Sequence, residues 1–142
     1  MTAKRRVLIL CTGNSARSQL AEALVNARLG GEWEAFSAGT KPAPQVNPAA
    51  LAVLDEIGIQ AQSSYPKHLS TFFGQPFDVI ITVCDDAAEN CPVWPGQGQR
   101  VHIGFPDPAE VTGNHEIILA AFRQTRDAIA ERLLPVLKDL PR

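Results

Sequence analysis

Val7-Leu8-Ile9-Leu10-Cys11-Thr12-Gly13-Asn14-Ser15-Ala16-Arg17-Ser18 runs from an apolar stretch through a small polar loop into a helical repeat. Residues 5–11 read as a buried parallel strand, because apolar residues at successive positions need cover on both faces. From Ser18 to about Leu29, Leu20, Leu24 and Ala27 share a helical face, and Gly30-Gly31 stops the helix. A joint of this kind turns the loop N–H groups of Thr12, Gly13, Asn14, Ser15 and Ala16, and the positive helix end, toward one point. Cys11 stands at the floor of that point, and Arg17 brings a planar fork of donors over it. The cradle suits a tetrahedral oxyanion, and a cysteine in so electropositive a place is used as a thiolate nucleophile. An isolated cysteine at a strand end would read as a small buried hydrophobe. The arginine six positions on argues against that here.

Outward from this joint the chain alternates strand and helix. Glu32 to Ala38 alternates as a second strand, and Gly39-Thr40-Lys41-Pro42-Ala43-Pro44 is a loop. Asn47-Pro48 is a cap followed by a first-turn proline, and Ala50, Val53, Leu54 and Ile57 then mark a helix ending at Gly58. Residues 59–76 carry at most a short helical turn near Leu69 to Phe73. Phe77 to Val83 is the best strand, Asp85 to Asn90 a possible short helix, and Arg100 to Gly104 a fourth strand. A last helix is expected over 114–140, with Ile118, Phe122, Ile129, Leu133 and Val136 at helical spacing. This order predicts an α/β fold: a four-stranded parallel sheet of order 2-1-3-4 with helices on both faces. The ligand crevice then opens at the carboxyl ends of strands 1 and 3, where Cys11, Cys84 and Asp107 collect.

At 142 residues, 45% apolar, 20% charged and net charge −2, residues 1–142 form a single ordinary globular domain. The charge balance gives no reason to expect a nucleic-acid partner, and no apolar run is long enough for a membrane span. A cytoplasmic protein is expected, in which three cysteines serve catalysis, redox chemistry or metal binding rather than a disulfide framework. Their spacings match no zinc pattern, and His68, His102 and His115 add no ligand spacing. Trp94 reads either as a contact for a reducing partner or as a loop anchor.

The residues at the rim define a reaction. Cys11 attacks the central atom of the bound oxyanion, Arg17 and the loop N–H groups spread the growing charge, and Ser18 steadies the thiolate. Asp107 can protonate the leaving oxygen, or can be a turn residue of its Pro-Asp-Pro loop. A phosphatase would need only Cys11. A second cysteine, Cys84, could instead attack the Cys11 sulfur and leave two electrons on the bound atom, which arsenic(V) accepts and phosphorus does not. Cys91 could then take the disulfide outward. If 84–91 were one helix, the two Cα atoms would stand about 10 Å apart. A disulfide needs them within about 7 Å. The segment therefore starts non-helical or unwinds.

Cys-Thr-Gly-Asn-Ser-Ala-Arg-Ser-Gln (11–19), Ser37-Ala38-Gly39, Thr82-Val83-Cys84, Asn90-Cys91-Pro92 and Gly104-Phe105-Pro106-Asp107-Pro108-Ala109 together resemble the low-molecular-weight tyrosine phosphatase superfamily. Within it, the pattern resembles the thioredoxin-coupled arsenate reductases. The resemblance implies reduction of arsenate to arsenite, with Cys11, Cys84 and Cys91 as first, second and third cysteine. Thioredoxin, or another thiol reductant, would recycle the enzyme, with no cofactor, no metal and a monomeric chain. The alternative is a low-molecular-weight tyrosine phosphatase, although Ala109 stands where those relatives carry an aromatic residue. Some relatives bind potassium through side chains matching Asn14, Glu22 and Ser37. Their further carboxylate is Lys67 here, whose ammonium would replace the cation.

Overall fold

A computed structural model of the 142-residue chain describes residues 3–85 and 92–142. Four strands, β1 (Arg5–Cys11), β2 (Trp33–Gly39), β3 (Val79–Thr82) and β4 (Gln99–His102), form one sheet of order β2-β1-β3-β4. Every pairing is parallel, with Cys11 opposite Gly39 and Leu10 opposite Thr82. The expected order is the observed one, and its reversal beside β1 opens the sheet at the strand ends that carry Cys11 and Cys84.

The helices are α1 (Arg17–Arg28), α2 (Pro48–Asp55), α3 (His115–Arg132) and α4 (Leu134–Lys138). The single helix expected over 114–140 is two. Pro135 lacks an N–H and its ring clashes with the carbonyl four residues back, so the chain breaks at Leu133 and restarts. Among the described residues, no helix is long and apolar enough to cross a membrane. The possible helix over Asp85 to Asn90 falls mostly outside the described residues.

Strand alternation splits the core. Val7, Ile9 and Cys11 point to one face, where Leu20 and Leu24 of α1, Val53 and Leu54 of α2, Phe122 and Ile129 of α3, and Leu137 of α4 join them. Arg126 reaches from α3 to the Val53 carbonyl at 2.7 Å and to Glu56 at 3.0 Å, which ties α2 to α3. Leu8, Leu10 and Ile80 point to the other face, covered by the 3₁₀ turn Leu69–Phe72 and by Phe77 and Trp94. Cover is thus asymmetric, with the long helices on one side and a single tight turn with aromatic rings on the other. Trp94 is the loop anchor: it is buried, its ring packs edge-on to Phe77, and Arg100 donates to its carbonyl.

Gly39 closes the sheet beneath the loop. A Cβ there would run into the Thr12 carbonyl oxygen and come within 2.8 Å of the Cys11 oxygen, both backbone atoms. Gly39→Ala should therefore lose about 1–3 kcal/mol in denaturant unfolding, because only a shift of the loop relieves the contact. Gly31→Ala, whose Cβ meets nothing within 4 Å, is the control and should change stability by less than about 0.5 kcal/mol.

Candidate active site

Between β1 and α1 the chain wraps around a small concavity. Its backbone carbonyls are drawn to the outside of the wrap. Lys41 N–H donates to the Thr12 oxygen at 3.0 Å, Ala43 N–H to Gly13 at 2.9 Å and Asn47 N–H to Ser15 at 2.9 Å. The Gln19 amide donates to the Asn14 oxygen at 3.1 Å, and Leu20 N–H donates to Ala16 at 2.8 Å. A peptide whose carbonyl is held outward presents its N–H the other way, so the inner wall is a ring of donors. Helix α1 adds its positive end: it starts at Arg17 with no side-chain cap and no acidic residue in its first turn. Asn14, buried and with φ at +50°, makes the sharp bend that this wrap requires.

The concavity has a volume of about 70 Å³ and is lined by Cys11, Gly13, Ser15, Ala16, Arg17, Asp107 and Ala109. Pockets for drug-sized ligands run to about 300–1,000 Å³. This one matches a small inorganic oxyanion. Cys11 is a buried free thiol whose sulfur lies 2.8 Å from Ser18 Oγ, and Asn14 Nδ2 donates to that hydroxyl at 2.7 Å. Arg17 is held from the far side: its Nη1 donates to the Phe105 carbonyl at 3.1 Å, and Nη2 lies 3.7 Å from Asp107 Oδ2. Phe105 is delivered there because its N–H continues the β3–β4 ladder onto Val83 at 3.1 Å. Asp107 is a turn residue that also reaches the concavity. Its Oδ1 accepts from Ala109 N–H at 3.0 Å, capping the 3₁₀ turn Pro108–Glu110, and its Oδ2 faces Arg17.

Cys84 lies two residues past the end of β3. It is fully buried, packs in the same core cluster as Cys11, and is disulfide-bonded while Cys11 is free. Cys84 itself stands in a bend rather than a helix, so the segment starts non-helical. Cys91 lies outside the described residues. Of the residues singled out in the sequence, Cys11, Gly13, Ser15, Ala16, Arg17 and Asp107 line the concavity, Ser18 and Asn14 stand behind the Cys11 sulfur, and Thr12 belongs to the loop without lining it.

Beneath the loop, Glu22 of α1 accepts from Ser37 Oγ at 2.9 Å, and the Lys67 ammonium lies 4.0 Å from the same carboxylate. Lys67 also donates its backbone N–H to Asn14 Oδ1 at 2.9 Å and its ammonium to the Tyr65 carbonyl at 2.9 Å. Burial raises the Glu22 carboxyl above its ordinary value, against the pull of Lys67 and the Ser37 hydrogen bonds. Burial lowers Lys67, with Glu22 opposing. Asn14, Glu22 and Ser37 are thus already engaged, and a positive charge of the chain itself stands beside them.

Two parts of the site are not read from sequence. Segment 41–47 reads only as a Pro-rich loop, yet its N–H groups orient the cradle. Gln19 sits within the 11–19 stretch, yet nothing in its spacing marks a glutamine in the first turn of a helix as part of a site.

The sequence model of the family described as low molecular weight phosphotyrosine protein phosphatase matches residues 6–142. An arsenate reductase of Halalkalibacterium halodurans is 42% identical over 92% of this chain and 93% of its own. One of Bacillus subtilis is 39% identical over 89% of this chain and 91% of its own. Among solved structures, the thioredoxin-dependent arsenate reductase of Corynebacterium glutamicum superposes with a TM-score of 0.69 at 26% identity, covering 98% of this chain and 65% of that one. A match along almost the whole chain leads to one placement: the chain belongs to the low molecular weight phosphotyrosine protein phosphatase family.

Proposed function

We propose that the chain is an arsenate reductase that works through a three-cysteine relay and is recycled by thioredoxin. The observation that carries this reading is the pairing of states at the rim: a free Cys11 in an anion cradle beside a disulfide-bonded Cys84 in the same core cluster. A phosphatase has no use for the second. In the first step the Cys11 thiolate attacks arsenic, an As–S bond forms, and one oxygen leaves as water with a proton from Asp107. Arg17 and the ring of N–H groups take up the negative charge that develops on the remaining oxygens. Reduced Cys84 then attacks the Cys11 sulfur as a thiolate. The S–S bond forms, the As–S pair stays on arsenic, and arsenic(V) leaves as arsenite. Cys91 next attacks Cys84, which releases Cys11 as a thiolate and leaves a Cys84–Cys91 disulfide for thioredoxin to reduce. The cradle's small volume and Ala109 on its wall favour an inorganic anion over an aryl phosphate. The chain acts as a cytoplasmic monomer in this reading.

Lys67 supplies, from within the chain, the positive charge beneath the loop that potassium provides in some relatives. Its proximity to Glu22 supports this.

Two sets of measurements test these assignments. In arsenate-driven NADPH oxidation with thioredoxin and its reductase, Cys11→Ser and Cys84→Ser should show no turnover. Cys91→Ser should stop after one turnover per enzyme, and steady turnover by Cys84→Ser would sink the relay. For the cation, exchanging sodium for potassium should leave the melting temperature and rate of the native chain unchanged. Lys67→Met should cost stability increasingly as pH rises. Glu22 titrates above its ordinary 4.5 in the folded state, so the fold holds its proton more tightly than the unfolded chain does. The stability this brings is full below 4.5 and lost as pH rises through the folded value. Removing Lys67 raises that value further, so the gap from wild type should widen by about 2 kcal/mol between acid and neutral pH.

A further inference from the structure

Gln19 has no place in the relay just described, yet it is buried, with 3% of its surface exposed, directly beneath the cradle. Its Nε2 faces three oxygens: the Asn14 carbonyl at 3.1 Å, Asn14 Oδ1 at 3.2 Å and the Tyr65 carbonyl at 3.1 Å. Turning the amide over would set Oε1 against all three acceptors, so its orientation is forced. That orientation has a cost, since Oε1 is buried with no hydrogen-bond partner among the described residues.

From this we infer that Gln19 is a positioning residue that sets the direction of the hydrogen bonds reaching the Cys11 sulfur. Asn14 Oδ1 receives N–H groups from Gln19 and from the Lys67 backbone, so it is an acceptor, and the amide's other end, Nδ2, must face Ser18. Ser18 Oγ accepts from Nδ2 at 2.7 Å and so has its single proton left to give. The neighbour that receives it is Cys11 Sγ, 2.8 Å away. An O–H donor aimed at sulfur favours the thiolate, whereas a hydroxyl that accepted from an S–H would favour the thiol. The Gln19 amide, acting with the Lys67 N–H and through Asn14 and Ser18, thereby selects the reactive form of the nucleophile. Ser18 and Asn14 could satisfy each other equally well with the polarity reversed, and their own geometry does not decide between the two.

The substitution that reverses the signal is Gln19→Glu. A carboxylate cannot donate to Asn14 Oδ1, and it attracts Nδ2 instead. Oδ1 then faces Ser18, whose proton turns away from Cys11. Gln19→Leu removes the donor without this pull, and Lys67 N–H still holds Oδ1.

The inference rests on Cys11 being the nucleophile of the proposed function, but its test needs no arsenate, so the two can fail separately. The rate of alkylation of Cys11 by iodoacetamide at pH 7 is followed by mass spectrometry, with Cys84 kept in its disulfide. Gln19→Glu should slow it about tenfold and Gln19→Leu about twofold to threefold. In a Ser18→Ala background both effects should shrink below about 1.5-fold, because the path to sulfur runs through that hydroxyl. A plain electrostatic or packing effect of residue 19 would persist without Ser18. If Gln19→Glu does not fold, the Gln19→Leu and Ser18→Ala pair completes the same cycle. Wild-type alkylation in the folded Gln19 variants, or an undiminished loss in the Ser18→Ala background, would overturn the assignment.

Discussion

The site depends on where its backbone carbonyls go. An anion cradle built from a loop works only if the peptide planes agree, with N–H groups inward and oxygens outward, and a loop of five small residues has no intrinsic reason to agree. Segment 41–47 imposes the agreement by donating from Lys41, Ala43 and Asn47 to three of those oxygens. Gln19 and Leu20 take two more. Each oxygen held from outside turns its peptide plane, and with it the charge a bound oxyanion meets. The segment is itself anchored, since β2 ends at Gly39, two residues before it, and Asn47 at its end caps α2 through Ala49 N–H. The cradle is therefore an outgrowth of the sheet and of α2 rather than a freestanding loop.

Charge is arranged in layers around it. Above the concavity, Arg17 is fixed by the Phe105 carbonyl and by Asp107. Below it, Glu22, Ser37 and Lys67 form a half-buried group that touches Asn14 through the Lys67 backbone. Burying a carboxylate and an ammonium is unfavourable for each alone, and it is tolerable because they meet. Their joint effect on the loop is geometric: Asn14 is held at positive φ, with its side chain in one orientation.

The parallel sheet places the redox chemistry. Because β3 lies beside β1, the residues after Thr82 arrive next to Cys11, and Cys84 enters the core cluster that already contains the Cys11 sulfur. Because β4 lies beside β3, Phe105 and Asp107 arrive at the same rim. Sequence distances of 73 residues or more collapse to neighbouring strand ends. In the proposed reaction, the cradle chooses the shape of the anion and the strand order chooses what can be done to it.

Much of this was legible in the chain alone. The apolar run 5–11, the Gly30-Gly31 stop and the Asn47-Pro48 start are local signals, and local steric and hydrogen-bonding preferences determine them wherever they occur. Cys11, Arg17 and Ser18 declare an anion site because they stand within one turn of each other at a strand-to-helix joint. Pro135 was legible too, yet the apolar spacing on either side of it outweighed it in a reading by periodicity, and the ring broke the helix. What the sequence could not hold is any property that one segment confers on another. That 41–47 orients the loop, that Phe105 positions Arg17, and that Gln19 and Lys67 settle which end of the Asn14 amide meets Ser18 are contacts between residues 5 to 88 positions apart. Hydrogen-bond direction depends on the partner at the other end. The sequence by itself determined which residues could bind and attack an oxyanion; only the tertiary structure decided which way their hydrogen bonds point, because that is settled by neighbours the fold brings in.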